Sequence, residues 1–344
     1  MRSNGAARRR SSLGSRLLDR LQATLLAPLF GLLRGLPEER ALAFGELMGS
    51  ILGRRLRKRR RVAEVNLRLA FPEWSEEARE AILIRSCRNL TRVAVETIRL
   101  PSLTDEEIRA RVGFEDGSPA TIERACARGK GLIFITGHIG NWELAALGFA
   151  LHGLPLLVVA RPMNNSHIEA RMGGLRNRGG NVVVSPDDGP AGVRTILAHL
   201  RRGGRVAILA DQCPQRQRGI PVPFFGKLAW SHRGPAILAI RSGAAVVPAF
   251  IHGVPGGRTY SVRIDEEIPV LRTGDGEEDI RALTARIQGA IEAEVRRAPE
   301  DWFWLHRRWK RSPDAGCIYP TVHRHRRRRA PAAAGPALNA AAPR

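Results

Sequence analysis

Short apolar runs that alternate with helical segments constrain the fold of this chain more than any other feature. The runs are rich in β-branched residues, as buried strands are, and the segments between them repeat their apolar residues at helical spacing. The runs span residues 132–135, 154–160, 181–185, 205–210, 244–251 and 260–268. This alternation predicts an α/β fold with a largely parallel central sheet flanked by helices.

The stretch from Gly131 to Ala150 joins one of these runs to a helix through a glycine-containing turn. His138 lies in the turn, Asn141 is placed to cap the helix, and Glu143 falls in the first helical turn. A carboxylate five residues after a histidine can fold back and fix one ring tautomer, which makes the other nitrogen a better base. On these residues alone, catalysis and an ordinary surface or capping role for His138 are both open.

Polar side chains also follow the second and the fourth of the predicted strands. Arg161 comes directly after the second, and Asp211 and Gln212 come directly after the fourth. Ligands of open α/β sheets bind outside the carboxyl ends of the strands, and a guanidinium fork suits phosphate. Arg161 therefore binds an anion or braces a loop. The acid–amide pair shapes a site around His138 or bonds loop N–H groups.

The last third of the chain contains two further segments of interest. Residues 213–229 are rich in Gln, Arg, Pro and Gly and are predicted to form a loop, with a helix over 231–242 that carries Arg233 in its first turn. The segment 302–310 mixes three Trp and one Phe with histidine, arginine and lysine. Such a mixture is typical of an interfacial belt, in which rings lie at head-group depth and cations face phosphates.

The net charge of +23 is concentrated at the two ends of the chain. Residues 1–61 hold 15 Lys and Arg against 4 acidic residues, and residues 302–344 hold 10 against 1. Such ends suit an anionic surface. The basic cluster at 54–61 has no interleaved aromatic residues that could stack on bases, so no nucleic-acid partner is expected. Both ends are alternatively plain solvated tails.

The N-terminal region is predicted to contact a membrane without crossing it. Leucines recur at helical spacing over residues 13–36, but the longest uncharged run there, from Leu21 to Leu33, has 13 residues and contains Pro28. A spanning helix needs about 20. We expect a disordered basic tail over 1–12, membrane-anchoring amphipathic helices with the polybasic segment over 13–61, one catalytic domain over 62–312, and a disordered tail over 313–344. The alternative is an amphipathic helix packed on the body.

Several other chemistries lack the motifs that they require. The four cysteines form no CxxC pair and no metal-ligand spacing, and HExxH is absent, so no metal site is expected. The chain also contains no GxSxG, Walker A or GxGxxG motif. A nucleophile elbow, a P-loop and a dinucleotide fold are therefore unsupported.

Five motifs, taken in order, resemble the lipid A biosynthesis (late) acyltransferase family of the lauroyl/myristoyl transferase type. This family lies within the lysophospholipid/glycerolipid acyltransferase superfamily. The motifs are Asn66–Pro72, His138–Glu143, Arg161–Pro162, Asp211–Gln212 and Trp302–Lys310. The FPEGTR-like block of the phosphatidic-acid-forming branch is absent. The resemblance covers roughly residues 15–312 and implies the glycerol-phosphate acyltransferase type of fold.

The resemblance also implies a reaction and a set of partners. A fatty acyl chain passes from an acyl-carrier-protein or coenzyme A thioester, without a cofactor, to a hydroxyl of an anionic lipid A precursor. His138 and Glu143 are expected to be catalytic, at the cytoplasmic face of the inner membrane. Substrate-binding residues are expected at Asn141, Arg161, Asp211, Gln212, Arg233, His306, Arg307, Arg308 and Lys310. The alternatives are another glycolipid acceptor, such as a phosphatidylinositol mannoside, and a non-enzymatic basic protein that binds membranes or RNA.

Overall fold

A computed structural model describes residues 13–163, 165–254, 257–314 and 318–319 of the chain. Most of both predicted tails, residues 1–12 and 313–344, lies outside these ranges. The chain begins with the helices α1 (Leu13–Gly35), α2 (Glu38–Arg55), α3 (Arg57–Ala70) and α4 (Glu76–Arg99). The polybasic segment thus spans the end of α2 and the first turns of α3.

Helices α2 and α4 pack closely because one face of α2 carries glycines at four-residue spacing. A Cβ atom at Gly49 would lie 2.4 Å from the carbonyl oxygen of Cys87 on α4, and one at Gly45 would lie 2.9 Å from Val95. Only hydrogen atoms fit at these contacts. Gly45 and Gly49 therefore lie on the face of α2 that packs against α4.

Most of the remaining elements alternate between strands and helices, as the sequence predicted. They are α5 (Asp105–Arg111), β1 (Val112–Phe114), α6 (Ser118–Ala127), β2 (Leu132–Thr136), α7 (Trp142–Leu151), β3 (Leu157–Val159), α8 (Ser166–Arg176), β4 (Val182–Val184), α9 (Gly189–Arg201), β5 (Arg205–Leu209), β6 (Gly219–Phe224), β7 (Lys227–His232), α10 (Gly234–Ser242), β8 (Ala245–Gly253), β9 (Tyr260–Ile264) and α11 (Gly276–Arg297).

The main sheet has the strand order β1-β9-β8-β2-β5-β3-β4. Its pairings are parallel except that of β8 with β9, which is antiparallel. The fold is therefore α/β with a mostly parallel central sheet, which confirms this part of the prediction. Strand β5 lies beside β2, with Thr136 opposite Leu209, so the two chain segments leave the sheet side by side.

One segment differs from the prediction. Residues 219–232 form the antiparallel hairpin β6–β7 where a loop was expected, and α10 begins at Gly234 and not at Ser231. Prolines 221 and 223 suggest a loop in sequence, but they alternate with buried Ile220, Val222 and Phe224. In a two-stranded ribbon proline is tolerated where its missing N–H is not needed for pairing.

Two apolar cores cover the two faces of the main sheet. Ile133 and Ile135 of β2 pack into one core with residues of α11, whereas Leu132 and Phe134 pack into the other with residues of α7. This alternation is the expected strand periodicity. None of the helices in the described ranges combines the length and the apolar composition that crossing a bilayer requires.

Candidate active site

The turn after β2 is tightly constrained by its neighbours. Asn141 caps α7, because its Oδ1 accepts the backbone N–H of Leu144 at 3.0 Å. Gly140 has a φ of +56°, and a Cβ atom there would lie 1.9 Å from the carbonyl oxygen of Ile251. Only glycine fits this position. The turn therefore holds His138 in one place at the carboxyl edge of the sheet.

The imidazole of His138 is hydrogen-bonded to Asp211, which follows the adjacent strand β5. The distance from His138 Nδ1 to Asp211 Oδ1 is 2.8 Å. Asp211 Oδ2 accepts the backbone N–H of His138 at 3.0 Å and the indole N–H of Trp302 at 2.9 Å. Asp211 is buried. A carboxylate that accepts from Nδ1–H leaves Nε2 of the ring unprotonated, as a general base requires.

The charges in this pair perturb each other. Burial acts to lower the pKa of His138, but the adjacent Asp211 carboxylate outweighs it, and the pKa is raised. Burial acts to raise the pKa of Asp211, and the imidazole together with the N–H donors lowers it well below its usual range. Asp211 is therefore ionised at neutral pH, and its charge stabilises the imidazolium that forms when His138 accepts a proton.

Glu143 does not make the contact with His138 that the sequence predicted. Its carboxylate is bound by both arms of Arg176 on α8, with Nε at 3.0 Å and Nη2 at 2.6 Å. The sequence pattern could not show this, because Arg176 lies 33 residues away in another helix. The carboxylate that orients the imidazole is Asp211. Glu143 acts on His138 through its charge, which contributes to the raised pKa.

A cavity of about 950 Å³ opens beside His138, a size typical of ligand sites. Apolar side chains from both faces of the sheet line it, and His138 and Gln212 lie in its wall. The apolar lining includes Phe134, Phe149, Val158, Ile196, Leu238 and Phe250. The amide nitrogen of Gln212 lies 3.4 Å from each ring nitrogen of His138. The site thus joins a basic group to a large apolar volume.

Basic side chains also line this cavity. Arg161 follows β3, and its side chain is 51% exposed and lies 3.7 Å from Asp187. Arg233 at the start of α10 is ion-paired with Glu277, and Lys310 is exposed. All three line the cavity. The structure therefore brings these three predicted residues to one site with His138, Asp211 and Gln212.

Comparison with known proteins identifies the family of this chain. A sequence model of the bacterial lipid A biosynthesis acyltransferases matches residues 12–311. The chain belongs to this family. It is therefore an acyltransferase, as the five motifs predicted.

Individual relatives include enzymes with different acceptors. The chain is 28% identical to the lipid A biosynthesis palmitoleoyltransferase of Escherichia coli over 78% of this chain and 84% of that protein. It is 24% identical to the phosphatidylinositol mannoside acyltransferase of Mycobacterium tuberculosis over 67% and 71%. Among solved structures, the 1-acyl-sn-glycerophosphate acyltransferase of Thermotoga maritima is similar with a TM-score of 0.34 and 15% identity, over 73% and 99%.

The C-terminal motif of this acyltransferase is not the exposed belt that its composition suggested. Trp302, Trp304 and Trp309 are buried, with relative exposures of 2%, 0% and 0%. Their indole N–H groups donate to Asp211, to the carbonyl of Pro299 and to the carbonyl of Phe224. The three indole rings therefore belong to the core, and rings buried in this way cannot lie at a lipid head group.

Four predicted substrate-binding residues have other contacts. Asn141 is buried, and its Nδ2 donates to Glu96 at 2.8 Å. His306 lines the cavity, but its Nε2 accepts the backbone N–H of Cys213 at 3.0 Å, and burial lowers its pKa to about 4. The guanidinium of Arg307 lies over the ring of Tyr319. Arg307 is not among the described residues that line the cavity. Asn141 is thus a cap, and His306 holds a loop.

The fourth residue, Arg308, has no exposed surface. Its guanidinium donates to the carbonyl of Trp230 at 2.7 Å, to Ser231 Oγ at 2.6 Å and to Gln288 Oε1 at 2.8 Å. Burial lowers its pKa to about 10. Arg308 therefore ties β7 to α11 and does not reach a sugar phosphate.

We expect Arg308→Lys to destabilise the fold, because an ammonium cannot reach all three acceptors. The free energy of unfolding should fall by about 2–3 kcal/mol, the cost of leaving buried polar groups unpaired. Chemical denaturation measures this, with Arg307→Lys as the matched control and an expected change within about 0.5 kcal/mol. A raised Michaelis constant for the acceptor with unchanged stability of Arg308→Lys would contradict the structural role.

The described residues contain no group of three or more His, Cys, Asp or Glu side chains arranged to hold a metal ion. His138 and Asp211 instead form a pair whose second carboxylate oxygen is occupied by N–H donors. The chemistry that this arrangement supports is proton transfer at Nε2 of His138.

Proposed function

We propose that this protein is an O-acyltransferase that moves a fatty acyl chain from an acyl-carrier-protein thioester to a hydroxyl of a lipid A precursor. The observation that carries the proposal is the His138–Asp211 pair in the wall of a large apolar cavity with basic side chains. The pair supplies a base, the cavity accommodates a hydrocarbon chain, and the cations match an acceptor that carries phosphates.

The reaction is a direct displacement at the thioester carbonyl. The acceptor hydroxyl gives its proton to Nε2 of His138 while its oxygen attacks the carbonyl carbon. The imidazolium that forms is stabilised by Asp211, through the 2.8 Å contact at Nδ1. The tetrahedral intermediate then collapses and expels the carrier thiolate, which takes the proton from Nε2. The step balances without a metal or a cofactor.

The basic side chains are proposed to select an anionic acceptor. Arg161 is exposed and its nearest acid, Asp187, is also 57% exposed, so a phosphate can compete for its guanidinium. Arg233 and Lys310 line the same cavity. Arg176 and Glu143 form a charged pair in its wall. We propose that this pair contributes charge near the reacting atoms.

A second acceptor follows from the relatives. A phosphatidylinositol mannoside is also a phosphate-bearing glycolipid with acyl chains, and a relative named for its acylation covers 67% of this chain. The proposed site chemistry is the same for both acceptors. Coenzyme A is the corresponding alternative to the carrier protein as donor, because either presents the same thioester.

We propose that the enzyme works on the cytoplasmic face of the inner membrane and docks through α1. Leu21, Leu25, Leu29 and Leu32 recur along α1 and are 37–69% exposed. The helix is held to the body by other contacts. Asn165 Nδ2 donates to the carbonyl of Asp19 at 3.0 Å, and Arg34 Nε donates to the carbonyl of Ile98 at 2.8 Å. A fixed helix with exposed leucines suits insertion into a leaflet.

Docking is best tested by substitution, because α1 contacts the start of α8 and deleting α1 would also remove those contacts. We expect Leu25→Gln with Leu32→Gln to weaken binding to anionic liposomes roughly tenfold or more. Each leucine contributes about 1.5–3 kcal/mol when fully buried. Co-sedimentation with liposomes measures the change. The control is Leu271→Gln, since Leu271 is 52% exposed outside α1. Equal binding by the double variant and the control would exclude α1 as the anchor.

The function itself is tested by offering the purified protein several acceptors with one donor. Acyl-carrier-protein thioester is incubated with a lipid A precursor, a phosphatidylinositol mannoside or a lysophospholipid, and the products are read by mass spectrometry. We expect the lipid A precursor to gain one acyl group most rapidly. Preference for the mannoside would move the assignment to that acceptor. Failure with every acceptor and with either thioester donor would contradict the proposal.

A further inference from the structure

The motif around Trp302 makes contacts that neither the acyl cavity nor a membrane belt explains. Trp302 forms an isolated antiparallel bridge with Ile139, the residue after His138. The backbone N–H of Gly140 donates to the carbonyl of Asp301 at 3.1 Å, and that of Phe303 donates to the carbonyl of His138 at 3.1 Å. Residues 301–303 are thus joined to the turn that carries His138 by one β-bridge and two backbone hydrogen bonds.

The side chain of Trp302 reaches the other member of the pair. Its indole N–H donates to Asp211 Oδ2 at 2.9 Å, and the ring is buried against Trp304 and Phe224. The backbone N–H of His138 occupies the same oxygen. With Oδ2 held by two donors, the rotation of the carboxylate is fixed and Oδ1 faces Nδ1 of the imidazole. A neutral donor also stabilises the ionised form of Asp211.

The segment that carries Trp302 is itself anchored by a partly buried ionic cluster. Asp301 Oδ2 lies 2.7 Å from His252 Nδ1, and Glu294 Oε1 lies 2.6 Å from His252 Nε2. Asn89 Nδ2 donates to Asp301 Oδ1 at 2.8 Å. Burial acts to lower the pKa of His252, but the two carboxylates raise it to about 9, so it is charged at neutral pH. The cluster fixes Asp301 from β8, α11 and α4.

From these contacts we infer that Trp302 is a positioning residue for acyl transfer, which sets the orientation of Asp211 and through it that of His138. This inference rests on the proposed function for its kinetic readout. Trp302 touches no substrate in this role. Its effect passes through one hydrogen bond to a carboxylate, supported by the bridge and backbone hydrogen bonds that join residues 301–303 to the turn that carries His138.

The chain offers a matched control for the kinetic test. Trp304 is two residues away, is equally buried, and donates its indole N–H to the carbonyl of Pro299 at 2.7 Å. Trp302→Phe and Trp304→Phe therefore remove the same atoms and one buried hydrogen bond each. Only the first touches Asp211. We expect Trp302→Phe to lower kcat about tenfold or more with a nearly unchanged KM, since bonds to charged groups are the stronger ones.

The pH profile separates positioning from general loosening. A carboxylate that has lost a donor attracts the imidazolium more strongly, so the acid limb of kcat/KM should move to higher pH in Trp302→Phe. In Trp304→Phe it should stay in place. Equal losses of kcat in the two variants, with the same pH profile, would reduce Trp302 to a packing role.

A double-variant comparison tests whether the effect passes through Asp211. In an Asp211→Asn background, Trp302→Phe should lower kcat by no more than about twofold. The effects of two substitutions within one hydrogen-bond network are not additive. If the two losses multiply in full, the action of Trp302 does not pass through Asp211. Thermal melts of each variant establish that folded protein is compared.

An NMR experiment tests the contact between Trp302 and Asp211 without measuring activity. In protein labelled with ¹⁵N-tryptophan, the indole N–H signal of Trp302 should move on Asp211→Asn, while that of Trp304 stays in place. A Trp302 signal that does not move would overturn the inference even if Trp302→Phe failed to fold. If the wild type transfers no acyl group but the signal moves, the proposed function fails and the contact between Trp302 and Asp211 stands.

Discussion

Replacing His138 with alanine is expected to lower the rate of acyl transfer by at least about 100-fold, because positioned acid–base groups contribute that much or more. The imidazole of His138 is hydrogen-bonded to Asp211, and it lies in the cavity wall. Without it, the proposed base for the acceptor hydroxyl is lost, and Asp211 has no imidazole to orient.

The measurement is kcat with a thioester donor and a glycolipid acceptor, on protein whose melting temperature is checked. His167→Ala is the control, because His167 is exposed on α8. The rate of this variant should stay within about twofold of the wild-type rate. Near-normal turnover by well-folded His138→Ala would remove His138 from the mechanism.

The second large effect is expected for Asp211→Asn, which keeps the shape of the side chain and removes its charge. We expect kcat to fall about 100-fold or more, since an amide neither fixes the Nδ1–H tautomer nor stabilises the imidazolium. Asp211 raises the pKa of His138 against the effect of burial. With the charge gone, the imidazole stays neutral to lower pH, and the acid limb of kcat/KM moves to lower pH.

Glu143→Gln is the informative comparison for this variant. It removes a charge that also raises the pKa of His138, but it leaves the contact at Nδ1 intact. It also leaves Arg176 without its bidentate partner, so some loss of activity is expected. The acid limb should move less than in Asp211→Asn. A larger movement in Glu143→Gln would restore the original prediction that Glu143 is the partner of His138.

The sequence predicted the strand, turn and helix around His138 well because their signals are local. A β-branched run, a glycine-containing turn and a helix cap all lie within residues 131–150. The partner of His138 was not predictable in the same way. It depends on β5 pairing with β2, although β3 and β4 lie between them in the chain. No periodicity within a strand reports which strand lies beside it.

The aromatic motif shows a different limit of sequence analysis. Trp302, Trp304 and Trp309 with neighbouring cations have the composition of a membrane interface. Whether a ring is buried depends on partners far away, such as Asp211 and the carbonyl of Phe224. The hairpin β6–β7 was missed for a related reason. Its prolines suggest a loop, and only the pairing across Phe225 and Gly226 shows why they are tolerated.

The central claim, acyl transfer without an acyl-enzyme, is tested by following the masses of the enzyme and the acceptor through one turnover. The enzyme is mixed with the donor thioester, the acceptor glycolipid is added, and intact masses of the protein and the acceptor are recorded over time. We predict that the acceptor gains one acyl group while the protein mass never changes, and that His138→Ala yields no product. An acylated protein that forms before the product, or an acceptor that gains no acyl group, would contradict direct transfer at the His138–Asp211 pair.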